Sequence, residues 1–169
     1  MSGLISTSVG RFRQDRLRIA DPAQTAEIVG SHPKAVRLLD AWNAWRGERP
    51  LPDRADVDPI DIPDLLPNLI LLDVEDDDFR FRLVGEQIAS RYGGRLKGRL
   101  ISEVMSGPGL DETLYEHRRC AEDRRAVIIS QARELATADD RRAYMRLILP
   151  LGNDGPRASH IIGVMDFYW

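Results

Sequence analysis

The sequence contains little of what several classes of protein require. Cys120 is the single cysteine among 169 residues, so an internal disulfide cannot form and nothing indicates an oxidising compartment. The N-terminal region has no apolar run long enough for a signal peptide or a membrane span, and its charges begin at Arg11. We therefore expect a soluble protein of the cytoplasm.

The charge balance also gives no general attraction for nucleic acid. The chain has 24 basic and 27 acidic residues and a net charge of −3. The basic stretch "RYGGRLKGR" at residues 91–99 is not continued by a basic stripe elsewhere, and its glycine spacing does not match the nucleotide-binding pattern "GxxxxGK[ST]". We interpret it as a surface loop and predict no nucleic-acid partner.

The chain lacks the common catalytic motifs "GxSxG" and "HExxH", and His32, His117 and His160 have no metal-like spacing. One enzymatic alternative is a small acid–base enzyme with a cone-like cavity, in which Tyr144, His117 and Asp166 would converge. Folds of that kind place their long helices before the sheet, whereas a hairpin precedes the main crossover here. The sequence therefore favours a protein that is not an enzyme.

The first 68 residues divide into two regions. Residues 1–30 are polar and show no sustained period, so we expect a flexible tail. Residues 31–68 hold a helix followed by a proline-rich linker. The helix is predicted in "SHPKAVRLLDAWNAWRG", with Ser31 as its cap, Pro33 in its first turn and Gly47 at its end.

An apolar stripe runs along this helix. Leu38, Trp42 and Trp45 fall at i, i+4 and i+7 on one face, and that face must either cover the chain's own sheet or pair with a second copy. We predict it as an interaction surface and expect a homodimer. The following segment, "ERPLPDRADVDPIDIPDLLPN", holds five of the ten prolines and predicts a linker wrapped over the surface.

The main body, residues 69–169, contains five strand signals. They lie at residues 69–74, 79–84, 127–135, 143–149 and 160–169. The first two form a hairpin, a helical crossover of about forty residues follows, and the last three form a meander. This order predicts an α+β fold with a five-stranded antiparallel sheet, a helical crossover on one face and an N-terminal helix.

The crossover is punctuated by glycines. Its start, "LVGEQIASRYGGRLKGRLISEVM", has a strand, a glycine, a short helix and then a second glycine-rich turn. This pattern, together with the tryptophan helix and the proline linker, resembles the PAS domain, and specifically a family of bacterial single-PAS proteins of about this length. The resemblance covers residues 32–169. It implies a small sensory fold in which the crossover forms a pocket against the sheet.

The resemblance also suggests which cofactors to consider. Flavin-binding PAS photosensors use a cysteine within an asparagine-cysteine-arginine motif, which is absent around Cys120. Haem-binding PAS domains take a histidine from the long crossover helix, where His117 shares a face with Leu110, Leu114 and Ala121. A histidine on such a face is more often a core residue, so we expect neither flavin nor haem.

Strand alternation predicts the lining of the pocket. We assign Phe81 and Leu83 to the pocket face and the alternating Arg82 to the other, and likewise separate Met145 and Leu147 from Arg146. The alternative places one arginine in the cavity to hold an anionic metabolite. The predicted ligand pocket comprises Phe81, Leu83, Tyr92, Leu114, His117, Met145 and Leu147.

The function that follows is a stand-alone PAS-like sensory or regulatory domain that binds an unknown small molecule, a partner protein or both. The chain ends at Trp169 without an output domain, so its output would be a contact with another protein. A second possibility is an adaptor with a filled pocket that acts only through its surface.

Overall fold

The structure, a computed structural model, describes residues 17–30, 32–132 and 143–168. Its strands are β1 (Leu17–Ala20), β2 (Leu69–Val74), β3 (Phe79–Val84), β4 (Ala126–Ala132), β5 (Ala143–Leu151) and β6 (His160–Tyr168). They form one antiparallel sheet in the order β1-β4-β5-β6-β2-β3. The α+β class and the five predicted strands are confirmed, and β1 is a sixth strand. The predicted end of β4 at residues 133–135 lies outside the described residues.

Helices cover both faces of this sheet. They are α1 (Pro22–Val29), α2 (Pro33–Arg46), α3 (Glu86–Ala89), α4 (Ile101–Val104) and α5 (Gly107–Asp123). The predicted tryptophan helix, α2, contacts β5 and β6, while α5 in the crossover contacts β4, β5 and β6. The short helix α4 contacts β3 and α5.

The N-terminal region differs from the expected tail. Within it, β1 pairs with β4 and forms one edge of the sheet, and α1 follows directly. Asp21 caps α1 by accepting from the backbone N–H of Gln24, whose side chain accepts from the backbone N–H of Asp21. This reciprocal cap is a recognised helix start, but β1 is only four residues long and depends on a distant partner. Residues 1–16 lie outside the described residues.

The helix α2 covers the chain's own sheet. It begins at Pro33 with His32 as its cap residue and ends before Gly47, whose φ is +59°. Ser31, the predicted cap, lies outside the described residues. Trp42 is buried, and its Nε1–H donates to the Pro150 carbonyl at 2.9 Å.

This burial reduces the predicted interaction surface. Leu38 is fully buried and Trp42 is buried, so two of the three residues of the predicted surface belong to the core. Trp45 is half-buried, and its Nε1–H donates to Asp61 in the proline-rich segment at 3.1 Å. Trp45 is therefore the part of the stripe that remains accessible to a partner.

The proline-rich segment is packed more tightly than a simple linker. It forms short 3₁₀ turns at Arg54–Asp56, Pro59–Asp61 and Pro63–Asn68. A Cβ at Gly85 would lie 2.2 Å from the carbonyl oxygens of Leu66 and Pro67, so the start of the crossover directly contacts this segment. No larger residue fits at Gly85 without displacing backbone.

Candidate functional site

A small cavity lies between the crossover and one face of the sheet. Its volume is about 40 Å³. The sheet contributes Ile70, Phe81, Arg146 and Met165. The crossover contributes Tyr92, Ile101, Val104, Met105, Thr113 and His117. Tyr92 is 40% exposed, which places it at the opening of the cavity.

Three of the predicted pocket residues, Phe81, Tyr92 and His117, line this cavity, and Leu114 packs against the core without lining it. Met145 and Leu147 do not line it either. They alternate with Arg146, which faces the cavity, so they lie on the sheet face that α2 covers. Both are fully buried there, because β5 is covered on its two faces.

Leu83 is displaced from the cavity by an irregularity in the hairpin. Phe81 pairs with Leu72 and Leu83 pairs with Leu71, with a register shift between the two pairs. Because Leu71 and Leu72 are neighbours in one strand, their partners lie on opposite faces. Simple alternation from Phe81 to Leu83 is therefore wrong at this point.

The alternative interpretation placed one arginine in the cavity without naming it, and the structure has Arg146 in the cavity wall. Its guanidinium forms a salt bridge with Glu116 of α5, and both side chains are only 9% exposed. The pair has no net charge, so the cavity wall offers an anion no uncompensated cation at Arg146. Arg82 is 52% exposed and pairs with Asp73 instead.

His117 is the other buried polar residue of the cavity, with 1% of its surface exposed. Its Nδ1 lies 2.7 Å from the carbonyl oxygen of Thr113. A carbonyl only accepts, so Nδ1 bears the proton and Nε2 has a free lone pair. Among the described residues, none forms a hydrogen bond with Nε2.

The environment keeps this imidazole neutral. Burial lowers the pKa of His117 to about 3, and the positive charge of Arg146 acts in the same direction, whereas the hydrogen bond to Thr113 opposes it. The ring of Phe79 lies 5.4 Å away, centroid to centroid. His117 therefore presents a hydrogen-bond acceptor within an apolar wall at neutral pH.

The three residues of the acid–base alternative do not come together. Asp166 follows Met165 of the cavity face, so it lies on the opposite face, where its carboxylate is 3.6 Å from Lys34 of α2. The side chain of Tyr144 lies outside the described residues. Since His117 and Asp166 are separated by the sheet, they cannot act on one substrate in this cavity.

Within residues 17–30, 32–132 and 143–168, no group of three or more His, Cys, Asp or Glu side chains could hold a metal ion. No helix in the same residues is long and apolar enough to cross a membrane.

Comparison with known proteins identifies the family. A family model of the PAS domain matches residues 30–166. The chain belongs to the PAS domain family. PAS domains are typically sensory modules, and the crossover and the sheet occupy the positions that the sequence resemblance implied.

Two solved structures are similar to this chain at low sequence identity. A fungal LOV domain photoreceptor has 15% identity and a TM-score of 0.44, over 68% of this chain and 94% of that chain. The PAS domain from Bordetella pertussis BvgS has 18% identity and a TM-score of 0.47, over 65% of this chain and 82% of that chain. No curated protein matches the sequence.

The residues of this PAS domain do not fit the two large cofactors considered above. The cavity of about 40 Å³ is several times smaller than the roughly 300–1,000 Å³ of ordinary ligand pockets. Cys120 is fully buried and does not line the cavity, and burial raises the pKa of its thiol. It is therefore poorly placed and poorly activated for adduct formation with a flavin.

Proposed function

We propose that this PAS domain is a non-enzymatic sensory domain of bacterial signalling that binds a small molecule in the cavity and reports its presence to a partner protein. The main support is His117, whose buried Nε2 lacks a hydrogen-bond partner among the described residues beside that cavity. An unsatisfied buried acceptor costs roughly 1–3 kcal/mol, which a bound donor would recover. The single cysteine is consistent with a cytoplasmic location.

The route from the cavity to the surface is short. Arg146 and Met165 line the cavity from β5 and β6, and the same two strands contact α2 on their other face. Asp166, the neighbour of Met165, pairs with Lys34 of α2. A ligand that favours one position of these strands would thereby favour one position of α2.

We also propose that the domain forms a homodimer through the outer side of α2 and the proline-rich segment. Trp45 is half-buried there and bonds to Asp61, which adjoins Ile60, an apolar side chain that is 78% exposed. Light scattering at tens of micromolar protein should give twice the mass of one chain, and Ile60→Asp should reduce it to one. A wild-type mass of one chain would contradict the dimer.

Native mass spectrometry and an absorption spectrum of freshly purified protein test the ligand itself. We expect a bound mass in the wild type and its loss in Val104→Phe, which places a ring in the cavity. Ile28→Phe is the matched control, because the same ring is added on an exposed surface outside the cavity and outside the proposed dimer face. A bound mass that persists in Val104→Phe would place the ligand elsewhere.

A ligand-free adaptor is the second candidate, and the small volume of the cavity favours it. It predicts that the wild type carries no bound mass and that Val104→Phe leaves the binding of partner proteins unchanged. The sensor predicts that Val104→Phe alters that binding.

A further inference from the structure

We propose that the cavity selects small, uncharged molecules that have one hydrogen-bond donor on an otherwise apolar body. This inference rests on the proposed function, because it names the class of ligand for the same cavity. It follows from three properties of the wall, which are the direction of its hydrogen bonds, its net charge and its shape.

The polar atoms offered by α5 are acceptors. Nδ1–H of His117 donates to Thr113, so the tautomer is fixed with the lone pair on Nε2. The hydroxyl of Thr113 in turn donates to the carbonyl of Gly109 at 2.8 Å, which uses its only proton. A ligand that bonds to His117 or to Thr113 must therefore supply the donor.

The net charge of the wall disfavours ions. Arg146 is neutralised by Glu116, and His117 is neutral. A carboxylate would face the lone pair of Nε2 without a free cation, and an ammonium group would lie beside the guanidinium. Either ion would lose its hydration without full compensation, whereas an uncharged donor would not.

The rest of the wall is apolar and adaptable. Ile70, Phe81 and Ile101 are buried and well packed, while Met105 and Met165 have flexible, polarizable side chains that can move to enlarge the space. A volume of about 40 Å³ holds on the order of three waters before any such movement. The ligand should therefore have only a few non-hydrogen atoms.

Pyrrole and furan test this selection, because they have nearly the same size and shape but only pyrrole has a donor. We would titrate each into the full chain and follow the amide and imidazole nitrogens by NMR. Pyrrole should bind about tenfold more tightly than furan, as expected for one hydrogen bond. Only pyrrole should shift the Nε2 resonance of His117.

His117→Phe should reduce the ratio of the two affinities to about one, because it keeps an aromatic ring beside Phe79 but removes the acceptor. His160→Phe is the control and should leave the ratio unchanged, since His160 does not line the cavity. If His117→Phe does not fold, the Nε2 shift in the wild type decides the question.

Failure of the inference is distinguishable from failure of the proposed function. If pyrrole and furan bind the wild type equally, the cavity accepts ligands but does not select a donor, so only the inference is wrong. If neither binds up to its solubility limit, both are contradicted. A ratio of ten that persists in His117→Phe would show that another group accepts the hydrogen bond.

Discussion

Acidification should weaken folding through His117 well before most carboxylates are protonated. Its pKa in the folded chain is about 3, below the ordinary value of 6.5 that applies in the unfolded chain. Below pH 6.5 the imidazole of His117 therefore binds a proton in the unfolded state but stays neutral in the folded state. The contribution of the neutral imidazole to the free energy of unfolding is fully present above pH 6.5 and is lost as the pH falls towards 3.

The magnitude follows from the two pKa values. Between pH 7.5 and pH 5, protonation of this imidazole in the unfolded chain should lower the free energy of unfolding by about 2 kcal/mol. Extending the range to pH 3 should bring the loss from His117 to about 4 kcal/mol, although carboxylates also titrate there. The range from pH 7.5 to pH 5 is therefore the informative one.

Urea unfolding followed by tryptophan fluorescence at each pH measures this effect. The comparison is with His117→Phe, which cannot be protonated, so the difference in pH dependence between the two proteins isolates His117. His160, whose pKa is also lowered by burial, is present in both proteins. If the free energy of unfolding changes equally with pH in both proteins, the imidazole is not held neutral by burial and the description of the site is wrong.

Two pairs of substitutions test the packing around the site. Trp42→Phe should lower the free energy of unfolding by about 1–3 kcal/mol, because the buried carbonyl of Pro150 loses its donor, whereas Trp45→Phe at the half-buried position should cost less than about 1 kcal/mol. Gly85→Ala should lower the free energy of unfolding by about 3 kcal/mol or more, because its Cβ would clash with backbone. In Gly109→Ala the Cβ would lie 3.9 Å from its nearest neighbour, so this substitution should be neutral or stabilising by up to about 1 kcal/mol. Urea unfolding monitored by circular dichroism measures the free energy of unfolding of all four variants. Equal losses within either pair would contradict the contacts described.

The sequence predicts the architecture well because strand alternation and helix signals are local. The helix α2, the hairpin and the meander could all be placed from short stretches of sequence. β1 could not, since four residues acquire strand structure only by pairing with β4 at residues far along the chain. Its neighbour α1 does have a local signal in the reciprocal cap of Asp21 and Gln24.

The candidate site could be predicted only in part, for a different reason. Apolar side chains on β5 indicate burial, but both faces of β5 are covered, so burial does not show which face holds the cavity. The charge of Arg146 suggested the face opposite the pocket, and only Glu116, thirty residues earlier on α5, allows it to be buried beside the cavity. The register shift that displaces Leu83 likewise depends on the partner strand.

The close approach at Gly85 limits how the domain can respond to any stimulus. The amide of Gly85 donates to Leu69 at 2.8 Å, and the same residue lies against the carbonyls of Leu66 and Pro67. The first turn of the crossover therefore cannot swing outward by itself, because it would take the Pro63–Asn68 turn with it. Access for a solute should depend on movements further along, around Tyr92 and its two following glycines, rather than on a hinge at the strand end.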